Sequence, residues 1–176
     1  MTNHVHLVIE PSKKGGSLSE IMKGINLSYA QYYKKKYGHS GYFWQDRYKS
    51  IIISKDEYLL ACGSYVELKP VRAMMVNGPR EYRWSSYNAY AYGKDDPVLD
   101  KYIIYESLSK DERRRLRMYR DFVFGMIKGR EAMKGEMDRK LLYGGNDFEK
   151  MLKDMYGVGA VIKPRGRPGK VGGRGK

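Results

Sequence analysis

The chain has almost no cysteine. Cys62 is the single one in 176 residues, which excludes an intramolecular disulfide and fits a reducing, cytoplasmic compartment. Long apolar runs are missing as well. None approaches the ~20 residues of a membrane span. The apolar stretch after Met1 is short and ends in Glu10-Pro11, unlike a secretory signal. There is no GxxxxGK[ST] stretch to cradle a nucleotide phosphate, and no internal repeat. Acidic residues are few: 20 Asp and Glu stand against 34 Lys and Arg, giving a formal net charge of +14 and a pI near 9.7. That surplus points to a polyanionic partner, with nucleic acid as the default. Among the aromatics, 4 Phe and 2 Trp are outnumbered by 17 Tyr. Tyrosine stacks on bases and bonds to phosphate, which suits single-stranded nucleic acid; most of the 17 read as half-buried surface residues. The length fits one domain with a real core and at most a small appendage.

Histidine is also scarce, yet His4 and His6 open the chain in "NHVHLVIEP". Val5, Leu7, Val8 and Ile9 are β-formers and Pro11-Ser12 ends the run, which predicts a strand. On a strand, residues two apart share a face, so the two imidazoles project together while Val5 points into a core. Such a pair can chelate a divalent ion if a third ligand comes from elsewhere. It reads equally as two polar residues on the exposed face of a half-buried strand.

Downstream, "SKKGGS" (12–17) is a loop, and Ser17 or Ser19 is placed to cap a helix from Leu18 to about Tyr37. Lysines 34–36 and Gly38 form its expected stop. The aromatic and β-branched segment 41–54 reads as extended or as a strand. A second helix is expected over 55–70, closed by Pro70 and weakened by Gly63, by ~1 kcal/mol relative to Ala. A strongly basic helix follows over 108–128 with Ser109 as its expected cap, carrying Arg113, Arg114, Arg115, Arg117 and Arg120; its arginines suit phosphate contacts or a solvated face. Another helix spans 146–157, capped by Asn146. On the 55–70 helix, Tyr58, Cys62, Tyr65 and Lys69 share roughly one face. A tyrosine hydroxyl there is a possible nucleophile toward a metal-polarised phosphate, or a plain amphipathic core residue.

Taken together, "NHVHLVIEP", "GYFWQDRYKSIIIS", "YLLACGSYVELKPVRAMMV" and "YRWSSYNAY", in that order, resemble the single-tyrosine HUH transposases, specifically the REP-associated tyrosine transposase group. The resemblance runs from Thr2 to about Tyr90 and more loosely beyond. It implies an α+β fold: a ferredoxin-like antiparallel sheet with packed helices, incomplete at the N-terminus, then a basic helical C-terminal region and a disordered tail. The corresponding divisions are a catalytic domain over 1–100, a helical basic region over 101–160 and a tail over 161–176. It implies DNA transposition chemistry in the cytoplasm, on the nucleoid. His4 and His6 match the metal pair for Mg²⁺ or Mn²⁺, and Tyr65 matches the nucleophile. Single-stranded hairpin DNA is cleaved through a 5′-phosphotyrosine intermediate that a 3′-hydroxyl later reverses. Trp44, Arg47, Tyr48 and Lys49 lie in the family's aromatic-basic segment and are expected at the DNA. The alternative is a non-catalytic DNA-binding remnant or a repurposed transposase, as monomer or homodimer.

Two departures from the family pattern stand out. Where the family has an amide side chain as third metal ligand, this chain has Lys69, whose ammonium has three donors and no acceptor. It is suited instead to neutralising a phosphate. The family's His strand is internal, preceded by a strand-helix-strand block of roughly 30 residues; Met1-Thr2 aligns with an internal methionine, so the chain is expected to be truncated at its start. In the tail, "KPRGRPGK" (163–170) resembles an AT-hook. Its Arg165 and Arg167 are expected in the minor groove of A·T-rich duplex, or on any phosphate backbone.

Overall fold

The computed structural model describes residues 1, 3–12, 14–128 and 141–157. The chain begins extended and enters α1 (Leu18–Tyr37) through a capping box: Ser17 Oγ accepts from the Glu20 amide, and the Glu20 carboxylate accepts from the Ser17 amide at 2.7 Å. Gly38, left-handed at φ 66°, ends the helix with its amide on Lys34 O. Both ends lie where local residue chemistry predicts them. Then come β1 (Ile52–Ile53), α2 (Glu57–Glu67), α3 (Lys69–Arg72) and a 3-10 turn (Pro79–Glu81). These are followed by α4 (Tyr87–Tyr92), α5 (Ile103–Ser107), α6 (Glu112–Lys128), β2 (Leu142–Tyr143) and α7 (Asn146–Tyr156).

Helices dominate. The two strands form one small parallel sheet, Ile52 opposite Leu142 and Ile53 opposite Tyr143. The antiparallel ferredoxin-like sheet expected from the resemblance is not formed among the described residues. Residues 4–9 are extended but join no ladder, and Val5 is 64% exposed rather than turned into a core. Val8 is the residue of this segment that packs inward. Two expected caps also shift. Asp111, not Ser109, accepts the Arg114 amide in the first turn of α6; Ser109 Oγ accepts one step earlier, from the Asp111 amide. Gly145 rather than Asn146 occupies the N-cap of α7.

The main core gathers around α2, α4, α5 and α6. Leu60 and Leu68 meet Tyr87, Tyr90, Ala91, Tyr105, Tyr119 and Val123. Tyrosines fill this core because each buried hydroxyl finds a partner. Tyr90 donates to Asp100 O at 3.1 Å, Tyr105 to Tyr90 O at 2.9 Å, and Tyr119 to Glu67 at 2.7 Å. Gly63 is explained by close approach: a Cβ there would lie 3.1 Å from the Tyr102 ring. A second cluster on another side of α2 joins Cys62, Tyr65 and Tyr143, with Val8, Ile51, Ile53, Tyr58 and Ala61 against it. No helix among the described residues is long and apolar enough to cross a membrane.

Candidate active site

Asp56 starts α2 by accepting the Tyr58 amide at 3.0 Å. From there the helical path continues almost unbroken into α3. The Leu68 amide reaches Ser64 O, and the Arg72 amide reaches Leu68 O at 3.0 Å. The junction at Leu68 is the local response to Pro70, which lacks an amide donor and restricts the residue before it. Because the register is kept, Tyr65, Lys69 and Arg72 fall at i, i+4 and i+7 and share one stripe.

The structure draws these three side chains together. Lys69 Nζ and the Arg72 guanidinium carbon each lie 4.5 Å from the centroid of the Tyr65 ring. Tyr65 itself is 4% exposed, and the two cations are half-buried. Cys62 lies in the same cluster, where burial pushes its thiol up to about 11. It stays protonated at neutral pH and is no competing nucleophile.

His4 and His6 are exposed and adjacent, with ring centroids 5.0 Å apart and planes at 86°. His4 Nδ1 lies 2.7 Å from Asn3 Oδ1. A proton on Nδ1 donated to Asn3 leaves the Nε2 lone pair facing outward, the arrangement a metal-binding imidazole uses. Three anchors hold this segment: the Met1 amino group bonds the Tyr82 hydroxyl, Val8 packs on the Tyr65 cluster, and Glu10 pairs with Lys55 just before α2. The two histidines therefore lie between the Tyr82 anchor and the cluster that holds Tyr65. They supply two nitrogen donors. Among the described residues no group of three or more His, Cys, Asp and Glu is placed to hold a metal ion, and Lys69, at the position of the third ligand, has no lone pair to offer.

The expected DNA-contacting segment is divided. Trp44 is half-buried, donates its indole proton to Asn26 O at 2.9 Å and packs edge-on to Phe43. Its polar atom is thus spent on anchoring the loop to α1. Arg47, Tyr48 and Lys49 are exposed, with Tyr48 hydroxyl 2.9 Å from Ser19 Oγ. Arg165 and Arg167 of the AT-hook-like tail lie outside the described residues. Arg72 is a site residue that residue-by-residue reading passed over. Its signal was its spacing from Tyr65, one further turn along the stripe that Lys69 occupies.

The strong positive charge and the paired imidazoles beside a tyrosine helix point to a protein that handles nucleic acid. Comparison with known families narrows this: residues 1–69 match the family described as IS200-like transposases. The match takes in His4, His6, Tyr65 and Lys69, and it supports a transposase-like function with DNA as the partner. No curated protein and no solved structure shows significant similarity to the chain.

Proposed function

We propose that the chain is a tyrosine transposase of the REP-associated type, a metal-dependent enzyme that cuts and rejoins single-stranded hairpin DNA. In this reading Tyr65 Oη attacks the scissile phosphorus. The Oη–P bond forms, the P–O3′ bond breaks, and the phenolic proton passes through solvent to the departing 3′ oxygen. The product is a 5′-phosphotyrosine link with a free 3′-hydroxyl, and the reverse attack rejoins DNA without an external energy source. His4 and His6 would hold a Mg²⁺ or Mn²⁺ ion, which when bound withdraws charge from the phosphate oxygens. Lys69, unable to ligate, adds positive charge beside the phosphate.

The observation that carries the reading is the docking of the histidine segment on the tyrosine helix, through Val8 on the cluster of Cys62, Tyr65 and Tyr143. Two chemistries that the sequence separates by about sixty positions share one neighbourhood. A second reading, a DNA binder without catalysis, is favoured by the burial of Tyr65, 4% exposed beneath two cations. Incubating the protein with labelled single-stranded hairpin DNA and Mn²⁺ distinguishes the two. The enzyme forms a denaturation-resistant adduct that Tyr65→Phe abolishes. An adduct that survives the substitution removes Tyr65 from the role; retained binding with no adduct selects the second reading.

A further inference from the structure

We propose that Arg72, with Lys69, forms an anion seat for a backbone phosphate of the nucleic-acid partner. This deepens the DNA-processing reading and rests on it for the identity of the ligand. The geometry comes first. Lys69 and Arg72 are set by an uninterrupted helical register, and both cations converge on one ring at 4.5 Å. Cation–π attraction is worth ~0.5–2 kcal/mol per contact, and the two like charges held over one small ring repel each other. Among the described residues no carboxylate pairs with either of them. The nearest acids in the chain are committed elsewhere: Glu67 accepts from Ser86 and Tyr119 on the other side of α2, and Glu10 is paired with Lys55.

The second observation is a missing partner. Arg72 Nη1 is buried and has no hydrogen-bond partner among the described residues. Leaving a buried donor unmatched costs about 1–3 kcal/mol, more for a charged group. A guanidinium presents its donors as a planar fork suited to two oxygens of one anion. An ammonium one turn away adds a point charge to the same place. An anion with several oxygens satisfies both, and a chain with a net charge of +14 selects a polyanion over an isolated carboxylate. Phosphodiester oxygens meet each requirement. The seat lies at the ring of Tyr65, so the phosphate it takes is the scissile one or its immediate neighbour.

The test is equilibrium binding of a fluorescent single-stranded hairpin oligonucleotide to the full chain, followed by anisotropy across a salt series. It is run in the Tyr65→Phe background so that no covalent product accumulates. Adding Arg72→Gln is expected to weaken binding roughly tenfold and to reduce the slope of log K against log salt by about 0.7, the loss of one phosphate contact on a single strand. Arg72→Lys keeps the charge and loses the fork; it is expected to retain the slope while weakening binding several-fold. Thermal unfolding of both variants is expected to match the parent, since Nη1 makes no hydrogen bond to lose. An unchanged slope in Arg72→Gln overturns the proposal, as does an affinity loss matched by a fall in melting temperature in both variants. The two readings fail separately. An adduct that survives Tyr65→Phe sinks the catalytic role and leaves the seat standing; an intact salt slope sinks the seat and leaves Tyr65 untouched.

Discussion

Two acid–base features on the same helical run, Glu67 and Arg72, are treated in opposite ways. Glu67 is 1% exposed, and both carboxylate oxygens are matched, by Ser86 and Tyr119 at 2.7 Å each. Arg72 has a buried nitrogen with no match. The same contrast holds for the regions they face. The side of α2 turned to α4, α5 and α6 is a closed core in which tyrosine hydroxyls bond to backbone or carboxylate. The side turned to the N-terminal segment carries exposed histidines and two cations without an acid, and nearby α1 buries only Met22. A protein that must fold alone completes its polar groups internally. One that must hold another molecule leaves some of them for the partner. The family match stops at residue 69, so it covers the open side and barely enters the closed one.

The largest test of this contrast removes one aromatic from each side. Tyr90 is fully buried and stacks on Tyr102 at 4.9 Å between centroids. Tyr90→Ala is expected to destabilise by about 3–5 kcal/mol, the cost of a large core deletion. Tyr29 on α1 is 46% exposed, and Tyr29→Ala is expected to cost about 1 kcal/mol or less. Urea unfolding of the two variants checks this, and equal losses would erase the distinction between the regions.

A smaller effect is expected from the buried carboxyl. Burial pushes Glu67 up from 4.5 to about 7, against the lowering effect of its two hydrogen bonds. The folded state therefore keeps a proton that the unfolded chain releases. The associated stability is full below pH 4.5 and is lost as pH rises to about 7. Between those limits the wild type should lose on the order of 3 kcal/mol relative to Glu67→Gln, which has no proton to release. Parallel stability curves for the two proteins from pH 4.5 to 8 would show that the core tolerates the charge.

The smallest effect is local and lies between the two regions. α3 ends in a paired closure, with the Met75 amide on Pro70 O and the Met74 amide on Val71 O, both at 3.0 Å. That closure places Met74 at φ 54°, a left-handed conformation that disfavours a side chain, and its own side chain is 92% exposed. Met74→Gly is expected to stabilise by about 1 kcal/mol while leaving both clusters untouched. Differential scanning calorimetry should register a higher melting temperature.

Short-range chemistry made α1 readable from residue 18 to residue 37, because Ser17, Glu20 and Gly38 each act within a turn of the helix end. The start of α2 was readable for the same reason, through the acids ahead of it. The caps of α6 and α7 were misplaced by one or two residues, since Asp111 and Gly145 compete with equally suitable neighbours. The pairing of β1 with β2 was not readable at all. It joins two dipeptides about ninety positions apart, and nothing in either segment names the other. The tyrosines divide in the same way. Tyr90, Tyr105 and Tyr119 look like any other tyrosine in the chain until a carbonyl or carboxylate from another element takes each hydroxyl.

Of the candidate site, the sequence by itself determined the stripe. Tyr65, Lys69 and Arg72 had to lie along one side of any helix built there, because 3.6 residues per turn admits no other arrangement. It also determined the closeness of His4 and His6, which are two positions apart. Tertiary structure decided the rest: that the histidine segment lies against the cluster holding Tyr65, that Glu67 is matched while Arg72 is not, and that tyrosine is the material of the core. Those facts depend on which distant groups come within reach after folding, and such long-range contacts leave no periodic trace in a linear chain.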